Sequence, residues 1–227
     1  MRRVIVKICG LHSREHVVAA AEAGADMIGF VMTESRRRVS PDEARELVRA
    51  ARATADVRTV GVFTNETVEE LKRTAGYCGF DLVQVGGDHT AERLRQLACP
   101  VIRVLHVGPS TDTRSLVGNI ERADLELRHN LPIHLLDTYR AGIGGGTGER
   151  FNWMVAAEVS RCHPVIVAGG LTPGNVRELV LTARPCGVDV SSGVEENGAK
   201  QSELIRAFIY SVRKAEQEIH DDKDRST

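Results

Sequence analysis

Eight short runs of β-branched and other apolar residues recur along this chain, and they constrain its fold more than any other feature. Each run is four or five residues long, and consecutive runs begin 20–32 residues apart. Apolar residues follow one another within the runs instead of alternating with polar ones, which is typical of strands buried on both faces. The runs cover residues 4–8, 27–31, 59–63, 81–85, 101–105, 133–136, 164–168 and 187–190.

Helical patterns with recognisable start signals separate these runs. Ser13 precedes a helix predicted at 14–23, Ser40 and Pro41 precede one at 42–53, and Asn65 is the predicted cap of one at 66–76. Further helices are predicted at 91–98, from 111 or 112 to 120, at 153–160, at 172–182 and at 200–218. Strand and helix alternating eight times predict a parallel sheet closed into a single (β/α)8 barrel, an α/β TIM barrel, over residues 1–219.

Two features complete the organisation of the chain. Residues 220–227 are polar, and we expect them to form a frayed tail. The rival architecture, a doubly wound open sheet, normally has fewer strands and a three-glycine nucleotide fingerprint after the first of them. Residues 7–11 read Lys-Ile-Cys-Gly-Leu and lack that fingerprint, so the pattern favours the barrel.

Composition excludes several classes of protein. The net charge of −1 and the interspersed charges argue against a nucleic-acid binder. No stretch approaches the roughly 20 apolar residues of a membrane span, so we expect a cytoplasmic protein that contacts no membrane. The five cysteines and eight histidines show no metal-ligand spacing. We therefore expect neither a metal nor any other cofactor.

The active sites of (β/α)8 barrels lie where strands end and the following loops begin, which identifies candidate residues. Cys9 ends the first strand beside Lys7 and a glycine turn, so its thiol is a candidate proton acceptor if its pKa is lowered there. Asp137 follows the sixth strand, where partial burial would raise its pKa and favour an acid role. Each has an alternative interpretation: Cys9 as a small core residue, and Asp137 as an ion-pair partner.

Glycines after the last two strands indicate an anion site. Backbone N–H groups around Gly169-Gly170 and Ser192-Gly193 can converge on a phosphate because no Cβ blocks its approach. Barrels of this class often hold phosphate at these two loops. The alternative is that the glycines only make tight turns. A further glycine-rich loop at 142–148 is predicted to act as a lid or as a backbone wall around a ligand.

Eight segments in the same order resemble the phosphoribosylanthranilate isomerase family of tryptophan biosynthesis. They are VKICG at 6–10, GADMIGFV at 24–31, SRRRVSP at 35–41, VGVFTNE at 60–66, LLDT at 135–138, GGTGERFNW at 145–153, AGGLTPGNV at 168–176 and VDVSSGVE at 188–195. These segments span the whole predicted barrel. The resemblance implies a metal-free Amadori rearrangement, which converts an aminoaldose to an aminoketose.

The resemblance also implies roles for particular residues. Cys9 corresponds to the general base that removes the C2 proton of the ribose, and Asp137 to the general acid that protonates the ring oxygen. Arg37 corresponds to an arginine that faces the anthranilate carboxylate. The implied phosphate grip consists of the glycine turns at Gly169-Gly170 and Ser192-Gly193 and the stretch Gly145-Gly146.

Some positions depart from the family pattern and leave alternatives open. After the fourth strand the family usually reads Gln-Leu-His-Gly; this chain keeps Gln84, a candidate substrate-binding residue, but has Gly86 in place of the imidazole. Arg38 replaces an aromatic residue.

The leading hypothesis is isomerisation of N-(5-phosphoribosyl)anthranilate. The second is the same chemistry on a different phosphoribosyl amine, and the third is a non-catalytic barrel that binds a phosphorylated ligand. The expected partner is a small phosphorylated sugar amine, and the expected assembly is a monomer or a homodimer.

Overall fold

A computed structural model describes residues 3–87, 89–127, 133–138 and 152–224 of the chain. Eight parallel strands form a closed barrel, and each strand pairs with its neighbours in sequence while the eighth pairs with the first. The strands are β1 (Ile5–Cys9), β2 (Met27–Val31), β3 (Arg58–Phe63), β4 (Leu82–Val85), β5 (Val101–Val107), β6 (Ile133–Thr138), β7 (Val165–Val167) and β8 (Gly187–Val190). The predicted (β/α)8 barrel is confirmed.

Helices alternate with the strands, so the barrel is enclosed by them. They are α1 (Arg14–Glu22), α2 (Pro41–Thr54), α3 (Val68–Cys78), α4 (Ala91–Leu94), α5 (Thr113–Glu126), α6 (Trp153–Cys162), α7 (Val176–Ala183) and α8 (Ser202–Asp224). After β8 the chain makes a single 3₁₀ turn at Ser192–Val194 and then a small antiparallel hairpin of β9 (Glu195–Glu196) and β10 (Ala199–Lys200).

Two apolar layers hold this architecture together. The larger lies between the strands and the helices, which is why both faces of most strands are buried. The smaller fills the inside of the barrel with inward-pointing side chains, among them Met27, Val60 and Ile102. At the carboxyl end of the strands the interior becomes polar, since Lys7, Gln84 and Asp189 are all buried there.

The cap of α3 differs from the prediction. Thr67, not Asn65, precedes the helix: its hydroxyl accepts a hydrogen bond from the Glu70 amide, and the Glu70 carboxylate accepts one from the Thr67 amide at 2.8 Å. This reciprocal capping box satisfies two donors that a helix start leaves unpaired. The sequence signal for this cap is the Thr67-x-x-Glu70 spacing, which the prediction overlooked, and Asn65 lies instead in the loop that follows β3.

Several helix ends also differ from the prediction, since α5 continues to Glu126 instead of ending at 120 and α7 begins at Val176 instead of 172. The helix predicted at 91–98 is α-helical only to Leu94, and tighter turns follow, in which the Leu97 amide donates to the Leu94 carbonyl. Pro100 limits the preceding residue to extended backbone, which favours an early end. At the other end of the chain α8 continues to Asp224, so the predicted frayed tail is helical at 220–224. Ile219 is buried there, and Gln217 donates a hydrogen bond to Asp221 at 2.9 Å.

Candidate active site

A cavity of about 670 Å³ opens at the carboxyl end of the barrel strands. It is lined by all of the predicted site residues that the structure describes: Cys9, Arg37, Gln84, Asp137, Gly169, Gly170, Ser192 and Gly193. The other two predicted residues, Gly145 and Gly146, lie outside the described residues. The strand-end rule therefore brings side chains and turns from six separate strands to one site.

Cys9 lies at the end of β1 above a buried ion pair. The Nζ atom of Lys7 is 2.9 Å from the Asp189 Oδ1 atom, and both side chains are almost inaccessible to solvent. Strand register explains the pairing, because Lys7 lies opposite Asp189 on β8 and two residues before Cys9 on the same strand face. Gly29, opposite Cys9 on β2, makes room for both groups. A Cβ at Gly29 would lie 2.9 Å from the Cys9 sulfur and 3.2 Å from the Lys7 Nζ atom.

The electrostatics of the thiol differ from the prediction. Burial raises the pKa of Cys9, the Lys7 ammonium opposes that shift, and the Asp189 carboxylate adds to it. The nearby Lys7 suggested a lowered pKa for Cys9. In the structure, however, Lys7 also pairs with Asp189, and the loss of hydration at the Cys9 sulfur outweighs the effect of the Lys7 charge. For Lys7 the interactions outweigh burial. Burial lowers the pKa of Lys7, but the negative charges of Asp189 and Cys9 raise it by more.

This raised pKa predicts slow alkylation of Cys9 in the ligand-free protein. Because the thiolate is the reactive form, the rate with iodoacetamide should stay low at pH 7 to 8 and increase as the pH is raised further. The Cys9 peptide would be followed by mass spectrometry, with exposed Cys162 as an internal check on the reagent. Rapid alkylation of Cys9 at neutral pH would contradict the raised pKa.

Asp137 lies at the end of β6 on the same cavity. Burial raises the pKa of its carboxyl group, and the nearby Asp189 carboxylate raises it further. The Thr138 amide, which donates to Asp137 Oδ1 at 2.8 Å, acts in the opposite direction but does not reverse the shift. The direction agrees with the prediction from the sequence. A carboxyl group in this environment retains its proton to a higher pH than an exposed one.

The two glycine turns after β7 and β8 lie against each other and against the Asp137 segment. Gly169 and Gly170 have positive φ angles of 87° and 65°. A Cβ at Gly169 would lie 2.1 Å from the Thr138 hydroxyl and 3.0 Å from Asp137 Oδ1, and one at Gly193 would lie 1.7 Å from the Leu171 carbonyl oxygen. No side chain fits at Gly169 or Gly193, so both must be glycine for the turns to meet.

These turns present unpaired amides. In the part of the chain that the structure describes, the N–H groups of Gly170, Leu171, Ser192 and Gly193 have no acceptor. The side chain of Asn175 shapes the first turn. Its Nδ2 atom donates to the Gly170 carbonyl at 2.9 Å, and its Oδ1 atom accepts from the Thr172 backbone amide at 2.9 Å. Unpaired amides from two adjoining turns are the donors that a phosphate group requires.

Arg37 and Gln84 also line the cavity, and Gly86 follows shortly after Gln84 in the chain. Arg37 donates from Nε and Nη2 to the Glu195 carboxylate at 2.7 and 3.0 Å. The Oε1 atom of Gln84 is buried without a hydrogen-bond partner among the described residues. At Gly86 an added Cβ would have only ordinary contacts, the nearest with a Thr64 methyl group at 3.8 Å. A Cβ therefore fits at the position where the family usually has an imidazole.

Sequence reasoning missed several residues that shape this site. Asp189, Glu195, Lys200 and Asn175 all lie in or beside the recognised motifs, but none was identified as a partner of a site residue. One signal was available for Asp189, since a charged residue inside the apolar run of β8 requires a buried partner. The partner of Arg37 could not be found this way, because the hairpin that positions Glu195 has no apolar pattern.

The described residues contain neither a metal-binding cluster nor a membrane-spanning helix. Among residues 3–87, 89–127, 133–138 and 152–224, no group of three or more His, Cys, Asp or Glu side chains is arranged to hold a metal ion. Over the same residues, no helix combines the length and the apolar character that a membrane crossing requires.

Comparison with known proteins identifies the family. The family model described as N-(5'phosphoribosyl)anthranilate (PRA) isomerase matches residues 6–211. The N-(5'-phosphoribosyl)anthranilate isomerase of Dehalococcoides mccartyi is 39% identical over 92% of this chain and 96% of its own length. That of Roseiflexus sp. is 41% identical over 93% and 99%.

Solved structures agree with these relatives. Phosphoribosyl anthranilate isomerase from Thermotoga maritima superposes with a TM-score of 0.80 at 33% identity, covering 93% of this chain and 99% of its own. A second isomerase structure, in complex with reduced 1-(o-carboxyphenylamino)-1-deoxyribulose 5-phosphate, has a TM-score of 0.76 at 32% identity over the same shares. This chain belongs to the N-(5'-phosphoribosyl)anthranilate isomerase family.

Proposed function

We propose that this chain isomerises N-(5-phosphoribosyl)anthranilate to 1-(2-carboxyphenylamino)-1-deoxyribulose 5-phosphate, an Amadori rearrangement in tryptophan biosynthesis. The observation that carries the proposal is that Cys9 and Asp137 line one cavity whose wall also presents unpaired amides from two glycine turns. The substrate has matching groups: a phosphate at one end, a ribose in the middle and a carboxylate at the other end.

The proposed chemistry moves one proton onto the sugar and removes another from it. Asp137 donates its proton to the furanose ring oxygen as the bond from C1 to that oxygen breaks, which leaves a protonated Schiff base at C1. The Cys9 thiolate then removes the C2 proton, and the electrons shift to give an enolamine. Ketone formation at C2 and protonation at C1 complete the isomerisation. Proton transfer by a positioned group accelerates such steps by about 10²–10⁴-fold.

The raised pKa values are compatible with these roles. Burial raises the pKa of Asp137, which keeps the acid protonated to a higher pH. Burial also raises the pKa of Cys9, which makes the thiolate scarcer but a stronger base. Lys7 supplies a positive charge beside the sulfur, and that charge stabilises the thiolate relative to a site without it.

The glycine turns are the proposed phosphate grip. The amides of Gly170, Leu171, Ser192 and Gly193 would bind the 5-phosphate, and Gly145-Gly146 would contribute as the resemblance implies. Holding the phosphate fixes the sugar between acid and base, which lowers the entropic part of the barrier. Arg37 is the proposed partner of the anthranilate carboxylate, and Gln84 the proposed partner of another polar group of the substrate.

Turnover by the purified chain tests the proposal. We expect conversion of N-(5-phosphoribosyl)anthranilate to the aminoketose, followed by chromatography, and growth of a tryptophan auxotroph that lacks this isomerase. Cys9→Ala and Asp137→Ala should abolish both. Absence of turnover by a folded chain would contradict the proposal. It would then favour the second candidate, the same chemistry on a different phosphoribosyl amine, which the glycine at position 86 in place of the family's imidazole supports.

For the assembly we propose a monomer or a homodimer. The relative from Thermotoga maritima has been studied as monomers generated from a dimeric enzyme. All of the described groups to which we assign a role come from one copy of the chain, so the proposed chemistry requires no partner subunit.

A further inference from the structure

Three cations surround one buried carboxylate at the rim of the cavity. Arg37 contacts Glu195 through Nε at 2.7 Å and Nη2 at 3.0 Å, Lys200 contacts it through Nζ at 3.0 Å, and Arg36 contacts it through Nη2. The side chain of Glu195 is 5% exposed and that of Lys200 only 1%. Burial alone would raise the pKa of Glu195, but Arg37, Lys200 and Arg36 hold it at about 2. The carboxylate is therefore ionised at any working pH.

Glu195 occupies only one edge of the Arg37 guanidinium group. A guanidinium group has five N–H donors in a rigid plane, and the pair with Glu195 uses those of Nε and one of Nη2. In the described part of the chain the Nη1 atom of Arg37 has no acceptor. A second carboxylate could bind the remaining edge in the same bidentate manner. Arg37 lines the cavity, whereas Glu195 is not among the described residues that do.

The arginine is fixed along its length as well as at its end. The Cδ atom of Arg37 would lie 2.6 Å from a Cβ built on Gly10, whose φ angle is 73°. The aliphatic part of the side chain therefore passes directly over the glycine turn beside Cys9. Only a glycine at position 10 permits this approach.

The hairpin of β9 and β10 in turn fixes Glu195. Glu195 and Lys200 are paired in register, and the turn between them has positive φ angles at Asn197 and Gly198. Lys200 donates to the Ser191 carbonyl at 2.8 Å, which ties the hairpin to the turn after β8. Arg36 donates to the Gly198 carbonyl at 2.8 Å, which ties it to the loop after β2. The carboxylate is thus held from both sides before any ligand binds.

We propose that Glu195 is a positioning residue: it orients Arg37 so that the free guanidinium edge receives the carboxylate of the aromatic amine. This inference rests on the proposed function. The three cations exceed the single anion, so the cluster retains the positive charge that a second carboxylate requires. Glu195 itself touches no substrate atom. Its effect should appear only with substrates that carry the carboxylate.

The test compares two substrates with the same sugar phosphate, N-(5-phosphoribosyl)anthranilate and N-(5-phosphoribosyl)aniline, which lacks the carboxylate. For Glu195→Gln we expect kcat/KM on the first to fall about 10- to 100-fold, mainly through KM, as for a binding group displaced by about 1 Å. On the aniline compound the variant and the unsubstituted chain should agree within about threefold. Added to Arg37→Met, Glu195→Gln should cause no further loss, because both act through one contact.

Glu196→Gln is the matched control, since Glu196 is the exposed neighbour on the same hairpin. Equal losses on both substrates would show that Glu195 only maintains the fold and would overturn the proposal, as would no loss on either. Thermal unfolding of each variant would show whether the hairpin remains intact. If the unsubstituted chain converts neither substrate, the proposed function is refuted, and the positioning role with it.

Discussion

Asp137→Asn is expected to lower kcat by about 10²–10⁴-fold, the range that a positioned general acid contributes. The amide has nearly the same shape and can still accept the hydrogen bond that the Thr138 amide donates to Asp137. It has no proton to donate to a ring oxygen, so the loss should appear in kcat with little change in KM. Steady-state kinetics on N-(5-phosphoribosyl)anthranilate would measure it.

The same substitution should not destabilise the protein. Because the folded-state pKa of Asp137 is raised, its stabilising contribution is fully present below the unfolded-state pKa and is lost as pH rises through the folded-state pKa. At neutral pH a buried carboxylate destabilises the folded state, whereas a neutral amide does not. The melting temperature of Asp137→Asn should therefore equal or exceed that of the unsubstituted chain. Asp56→Asn, at an exposed loop position, is the matched control for both measurements. Full activity of Asp137→Asn would exclude Asp137 as the acid.

Lys7→Met is expected to lower the free energy of unfolding by about 3–5 kcal/mol, because it leaves the Asp189 carboxylate buried without its partner. Denaturant titrations of both proteins would measure the loss. Activity should also fall, because the positive charge beside Cys9 is lost.

Two further variants make this interpretation falsifiable. Lys7→Met combined with Asp189→Leu removes both charges and should recover most of the lost stability. Arg49→Met breaks an ion pair with Glu46 in which both side chains are largely exposed, and it should have little effect. If Lys7→Met were as mild as Arg49→Met, the buried pair would not contribute as we infer.

The parts of this protein that follow from local pattern could be predicted from the sequence. Continuous apolar runs located all eight strands to within two residues at each end. The strand-end rule then brought Cys9, Asp137 and the two glycine turns to one cavity. This inference works because the carboxyl ends of parallel strands, and the loops that follow them, all lie at the same end of the barrel.

Pairwise contacts between distant segments could not be predicted in the same way. The pKa of Cys9 depends on how Lys7 is divided between sulfur and carboxylate, which is decided by the register of β1 against β8. The partner of Arg37 lies 158 residues away in a hairpin of four paired residues. Such contacts are set by three-dimensional packing, and no periodicity in a single sequence reports them.

The close packing of the glycine turns has a consequence for how this barrel can diverge. Gly169 and Gly193 cannot accept even a methyl group without displacing backbone or the Asp137 segment, whereas a Cβ at Gly86 would make only ordinary contacts. Substitution is therefore blocked at the two turns of the proposed phosphate site and tolerated at position 86. We expect sequences that diverge from this one to vary at position 86 and to keep glycine at positions 169 and 193.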